Sequence, residues 1–217
     1  MAGPRSKFHH EEQLRGDNLT QLLGSKFITI CGCGTNGSNL LEALARQGFS
    51  KLRIIDMDRV EEHNLGPQIF EEGDVGQLKV TAAQNRIFRA VGVEVETENK
   101  EVKKGTIKKL LRGSDLVVDC FDNRAGRLLL QEYCREQNIP LLHTGVTGDY
   151  GEVVWDADYM VPADEGEDNC DYPLARNLAM LVVTAASEEV LNFCLESKPR
   201  MKSWAVTLGD MKISPYK

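Results

Sequence analysis

Three glycines in the pattern Gly32-x-Gly34-x-x-Gly37 offer backbone amides to an anion, and Asp56 follows nineteen residues past the last of them. That distance is close to the roughly 20 residues at which an acid reaches a ribose hydroxyl. Gly32 permits a tight turn, Gly34 lets a phosphate approach the backbone, and the free amides of a helix start attract anions. No Gly-Lys-Ser/Thr follows, so the turn is not a P-loop. Further along stand Asp58, Asn64, Gln68, Lys79, Asp122, Asn123 and Arg127. A hydride-transferring enzyme has no use for a second acid, a lysine and arginines facing phosphates. A divalent cation takes one or two carboxylates plus phosphate oxygens, and Lys or Arg neutralises charge on a displaced pyrophosphate. The set therefore suits a triphosphate with Mg2+, and a nicotinamide-dependent oxidoreductase is the minor alternative.

These residues need elements to position them. Apolar runs bounded by turn residues predict strands over 27–31, 52–56, 93–97, 115–120 and 140–144. Helical spacing predicts helices over 37–47, 76–90, 106–112 and 123–137. The alternation implies a Rossmann-like α/β fold, a mainly parallel sheet with helices on both faces. After Gly145 the pattern changes. Gly151–Trp155 and Tyr159–Val161 read as short strands of an antiparallel C-terminal extension, followed by an acidic loop over 162–172. A helix over 177–194 and a strand over 204–208 close the chain.

We read one domain over 1–217, with a flexible N-terminal segment over 1–20, because no Pro/Gly/Ser-rich linker divides the chain. The formal charge of −7 and a pI near 5.2 disfavour nucleic acid and anionic membranes as partners. Uninterrupted apolar runs last only a few residues, so no membrane span is expected. The polar N-terminus has no signal-peptide core. The six cysteines include no CxxC pair, which points to reduced thiols, a cytoplasmic location and no zinc.

Five ordered motifs make a more specific pattern: GCGTNG at 32–37 with its flanking strand, Asp56-Met-Asp58, Asn64-Leu65-Gly66-Pro67-Gln68, Gly76-Gln-Leu-Lys79 and Asp119-Cys-Phe-Asp122-Asn123. In this order and spacing, from about Leu22 to Cys194, the chain resembles the ThiF/MoeB/HesA family, relatives of the ubiquitin-activating enzymes. The resemblance implies ATP-dependent adenylation of the C-terminal glycine carboxylate of a ubiquitin-like or sulfur-carrier protein, by a homodimer. It implies that Asp56 holds the ribose, that Lys79 contacts phosphates and that Asp122 holds Mg2+. Gly32, Gly34, Asn36, Gly37, Asp58, Asn64, Gln68, Asn123 and Arg127 would line the same site. Each has a plainer reading. Asp58 and Asn64 could brace their loop, and Lys79 could be a surface lysine. Arg127 could pair with an acid on its own helix, and Asp122 could be an N-cap.

Two departures bear on activity. The family's N-L-x-R-Q arginine is Pro67 here. One charge-assisted contact is lost, worth roughly 1.5–3 kcal/mol, unless another arginine, Arg15 or Arg5 among the candidates, replaces it. Cys170 sits in the acidic loop where thioester- or persulfide-forming relatives carry a nucleophile. Nearby Asp164, Glu165, Glu167, Asp168 and Asp171 would raise its thiol pKa, so an incidental cysteine is the competing reading. The functional alternatives are a non-catalytic nucleotide-binding subunit and an enzyme acting on a tRNA-borne carboxylate.

Overall fold

A computed structural model describes residues 5–163, 173–196 and 201–216. The elements are α1 (His9–Arg15), α2 (Leu19–Ser25), β1 (Ile28–Cys31), α3 (Thr35–Gln47), β2 (Leu52–Ile55), α4 (Lys79–Val91) and β3 (Glu96–Glu98). There follow α5 (Ile107–Leu110), β4 (Leu116–Asp119), α6 (Arg124–Gln137), β5 (Leu141–Thr147), β6 (Tyr150–Trp155), α7 (Arg176–Leu195), β7 (Trp204–Thr207) and β8 (Lys212–Pro215). The eight strands form one sheet in the order β3-β2-β1-β4-β5-β6-β7-β8. Pairs from β3 through β5 are parallel, and those from β5 through β8 are antiparallel. The expected Rossmann-like sheet with an antiparallel extension is thus present.

The strands are short apolar runs because both faces of the sheet are covered. Ile28, Ile30, Leu52, Ile54, Leu116 and Val118 join one core with Leu40, Leu41 and Leu44 of α3 and Leu178, Val182 and Val190 of α7. The alternate positions Cys31, Ile55 and Val117 join a second core with Leu110 and with Leu130 and Cys134 of α6. The chain leaves β1 through α3 to β2, then crosses to the other side of β1 at β4. The crevice between the C-terminal ends of β1 and β4 is therefore the switch point where ligands bind in such sheets.

Several details differ from the sequence reading. Tyr159–Val161 forms no strand. The edge of β6 is already taken by β7, and Tyr159 instead turns back to stack on His143, with ring centroids 3.8 Å apart. The helix expected from residue 76 starts at Lys79, because Val60 and Asp58 carbonyls take the amides of Gly76 and Lys79. The last hairpin strand, β8, is an addition. The segment expected to be flexible contains α1, whose Arg15 bonds Glu188 of α7 at 2.8 and 3.1 Å. By length and composition α7 could cross a membrane. In this fold it is a core helix, packed on α3, β5 and β6.

Candidate functional site

The turn after β1 is set by close packing. Gly32 has φ +96°, and a Cβ there would lie 2.8 Å from the Cys120 carbonyl oxygen. A Cβ on Gly37 would lie 1.9 Å from the Gly32 carbonyl oxygen. These glycines let α3 start hard against β1 and β4. Gly34 is different, because a Cβ there would meet nothing within 4 Å. Its open side faces two adjoining cavities of about 1000 and 630 Å3.

The smaller cavity is lined by Gly32, Asp56, Lys100, Asn123 and neighbours. The larger is lined by Asn36, Asn64, Gln68, Arg127 and Arg176 among others, and Gly34, Asp58, Lys79 and Asp122 line both. One crevice thus gathers every described site candidate except Gly37, which lies in the packed turn. Cys170 lies outside the described residues.

Asp56 ends β2 and accepts from the amides of Cys33 at 2.6 Å and Asp58 at 2.7 Å. Burial raises its pKa, opposed by those two bonds. Each oxygen keeps acceptor capacity for a ligand hydroxyl. Lys79 is not a surface lysine. It opens α4 with 9% exposure, and its Nζ lies 3.3 Å from Asp58 Oδ2. Asn64 is buried and does brace its loop, accepting from the Glu61 amide at 2.9 Å. Asn123, rather than Asp122, is the N-cap of α6, accepting from the Gly126 amide at 2.8 Å. That leaves the exposed Asp122 carboxylate free of the capping role at the cavity wall.

Arg127 pairs with no acid on its own helix. Its guanidinium donates to Tyr159 Oη at 2.5 Å and the Thr144 carbonyl at 3.0 Å, and lies 3.8 Å from Asp119. Asn36 and Gln68 line the larger cavity, and their Oδ1 and Oε1 atoms are buried without a hydrogen-bond partner. Arg15 is occupied by Glu11 and Glu188 of its own chain. The thiols of Cys31, Cys33 and Cys120 are pushed up by burial, Cys120 to about 12, so none of them is a nucleophile at neutral pH.

The sequence reading missed Arg176, Thr144 and Tyr159. Arg176 gave one faint signal, a cation opening an otherwise apolar helix. Thr144 and Tyr159 gave none, because they reach the crevice only through the β5–β6 geometry. The arrangement places a helix start, Lys79, arginines and the carboxylates of Asp56, Asp58 and Asp122 around a space large enough for a nucleotide and a second reactant. It can hold a polyanion and neutralise charge as that anion is divided.

Fold and crevice define a Rossmann-like α/β protein with a ligand site at the sheet's switch point. The chain belongs to the ThiF family, whose model matches residues 10–192. It is 35% identical to the SAMP-activating enzyme E1 of Haloferax volcanii over 58% of this chain and 47% of that enzyme. It is 33% identical to the tRNA threonylcarbamoyladenosine dehydratase of Escherichia coli K12, over 66% of this chain and 55% of that protein. The chain thus spans about half the length of these relatives. The solved structure of E. coli MccB with ATP shares the fold, with a TM-score of 0.82 at 19% identity, over 98% of this chain and 71% of that one.

Proposed function

We propose that this protein adenylates the C-terminal carboxylate of a ubiquitin-like or sulfur-carrier protein with ATP. The observation that carries the reading is the shared wall, where Gly34, Asp58, Lys79 and Asp122 sit between the ribose acid Asp56 and the wider cavity. A carboxylate oxygen attacks the α-phosphorus, the bond from that phosphorus to the β-phosphate oxygen breaks, and acyl-adenylate and pyrophosphate result. Lys79 would offset charge on the phosphates, Asp56 would fix the ribose and Arg127 would face the incoming carboxylate. The contribution is positioning and electrostatics more than proton transfer. Among the described residues no three metal-ligating side chains gather. Asp58 and Asp122 instead line one wall, which fits Mg2+ shared between one or two carboxylates and phosphate oxygens. Bound there, the ion would supply Lewis-acid polarisation of those oxygens.

The similarity to an activating enzyme supports a protein carrier with a terminal glycine, and we extend the reading to a homodimer. Cys170 is the proposed acceptor if a thioester follows: its sulfur attacks the acyl carbon of the adenylate and AMP leaves. The similarity to a tRNA dehydratase supports a second reading, a tRNA-borne carboxylate, against which the −7 charge counts. The test is ATP–pyrophosphate exchange with and without candidate carriers. Carrier-dependent exchange lost in Asp122→Ala is the expected result. ATP binding without exchange for any carboxylate would point to a non-catalytic subunit, and binding of NADH but not ATP would overturn the assignment.

A further inference from the structure

Arg176 opens α7 and lies on the wall of the larger cavity. Its Nη1 donates to the carbonyls of Gly66 at 3.2 Å and Pro67 at 3.0 Å. Both acceptors are neutral, and among the described residues the guanidinium has no carboxylate partner. A guanidinium carries five N–H groups in a fixed fork. Held by one edge, it keeps N–H groups for an anion.

The Pro67 carbonyl links Arg176 to the turn after β1. It also accepts from Asn39 Nδ2 at 2.9 Å, and the same Nδ2 donates to the Thr35 carbonyl at 2.7 Å. One oxygen thereby ties Arg176 to the first turn of α3, where free amides await a phosphate. Gln68 and Asn36 line the same cavity, only 9% and 8% exposed, and their Oε1 and Oδ1 atoms are buried without partners. The two cavities also set an order. Asp56 lines only the smaller, Lys79 and Asp122 line both, and Arg176 lines only the larger. A nucleotide whose ribose meets Asp56 and whose phosphates pass Lys79 points its trailing phosphates into the space that Arg176 faces. The wall that continues into β5 already has its own cation in Arg127.

We propose that Arg176 binds the β- and γ-phosphates of the nucleotide and the pyrophosphate that they become. This rests on the adenylation reading for its substrate, but its test does not. Calorimetry on the full chain would measure binding of inorganic pyrophosphate with Mg2+, and of AMP, to wild type, Arg176→Ala and Arg176→Lys. The expected result for Arg176→Ala is a loss of about ten- to a hundred-fold in pyrophosphate affinity. AMP binding should stay within about two-fold, and Arg176→Lys should fall between the two proteins. Unchanged pyrophosphate affinity would overturn the proposal, as would a parallel loss for AMP, which marks a damaged loop. A raised KM for the carrier alone would assign Arg176 to the carboxylate and also overturn it. If wild type exchanges no pyrophosphate with any carboxylate yet binds it through Arg176, the adenylation reading falls and this one stands.

Discussion

His143 Nδ1 lies 2.8 Å from Asp119 Oδ2, and neither side chain has any exposed surface. On its other side His143 Nε2 lies 3.3 Å from Asp156 Oδ1, and Tyr159 covers its ring. Asp119 and Tyr159 in turn hold Arg127, so the cation facing the crevice stands on a buried histidine–carboxylate pair.

The pair makes stability depend on pH. Burial alone would lower the imidazole pKa, but the bonds to Asp119 and Asp156 outweigh it and the net shift is upward. A raised folded-state pKa stabilises fully below the unfolded value of about 6.5 and fades as pH rises through the folded value. His143→Gln should therefore cost about 3 kcal/mol or more at pH 6 and distinctly less at pH 9. Urea unfolding at both pH values checks this, and equal losses would exclude an imidazolium.

Gly34 and Gly37 separate ligand approach from packing. Gly37→Ala drives a methyl group against a backbone oxygen. It should cost about 3 kcal/mol or more, or leave the chain unfolded. Gly34→Ala meets nothing and has φ −81°. Its melting temperature should stay close to wild type while ATP affinity falls by about ten-fold. A Gly34→Ala protein with unaltered ATP affinity would remove the nucleotide from this turn.

The two results also mark what the sequence could reveal. The glycine turn and Asp56 were legible because each sits at a fixed offset from a strand end, whereas Lys79 and Asp122 were legible through the ordered motifs of the family. So was the parallel core, whose apolar runs of four residues are the mark of strands covered on both faces. Arg176 was not legible, since its partners Gly66 and Pro67 lie more than a hundred residues away. Tyr159 read as strand because its apolar neighbours fit a period of two, and only the occupied edge of β6 forbids the pairing. The N-cap was misplaced by one residue between Asp122 and Asn123, both good caps by type.

Lys79 carries a prediction that volume alone does not explain. Lys79→Met keeps the buried stem and removes the ammonium beside Asp58. Pyrophosphate exchange should fall by about a hundred-fold, with thermal stability within about 1 kcal/mol of wild type. Exchange kinetics and calorimetry on one preparation distinguish the two effects. A fall in stability matching the fall in exchange would make Lys79 structural.

The buried thiols are expected to be inert. Burial pushes Cys134 and Cys194 to about 12, as it does Cys120, so these thiols stay protonated. In native protein at pH 8, iodoacetamide should leave Cys120, Cys134 and Cys194 largely unlabelled, read by peptide mass spectrometry. With an active carrier, Cys170→Ser should abolish any adduct that a reductant releases. If that adduct persists, the nucleophile belongs to another thiol or a partner.

The seating of α7 on α3 has a consequence for how the molecule comes into being. Residues 35–47 wait for a surface that is synthesised only at residues 176–195. During translation the apolar side of α3 and the inner faces of β5 and β6 stay uncovered until residues 176–195 have left the ribosome. Such a long-range closure slows the final collapse and leaves the nascent chain prone to association. Co-expressed chaperones should therefore raise the yield of this protein more than any change at its surface.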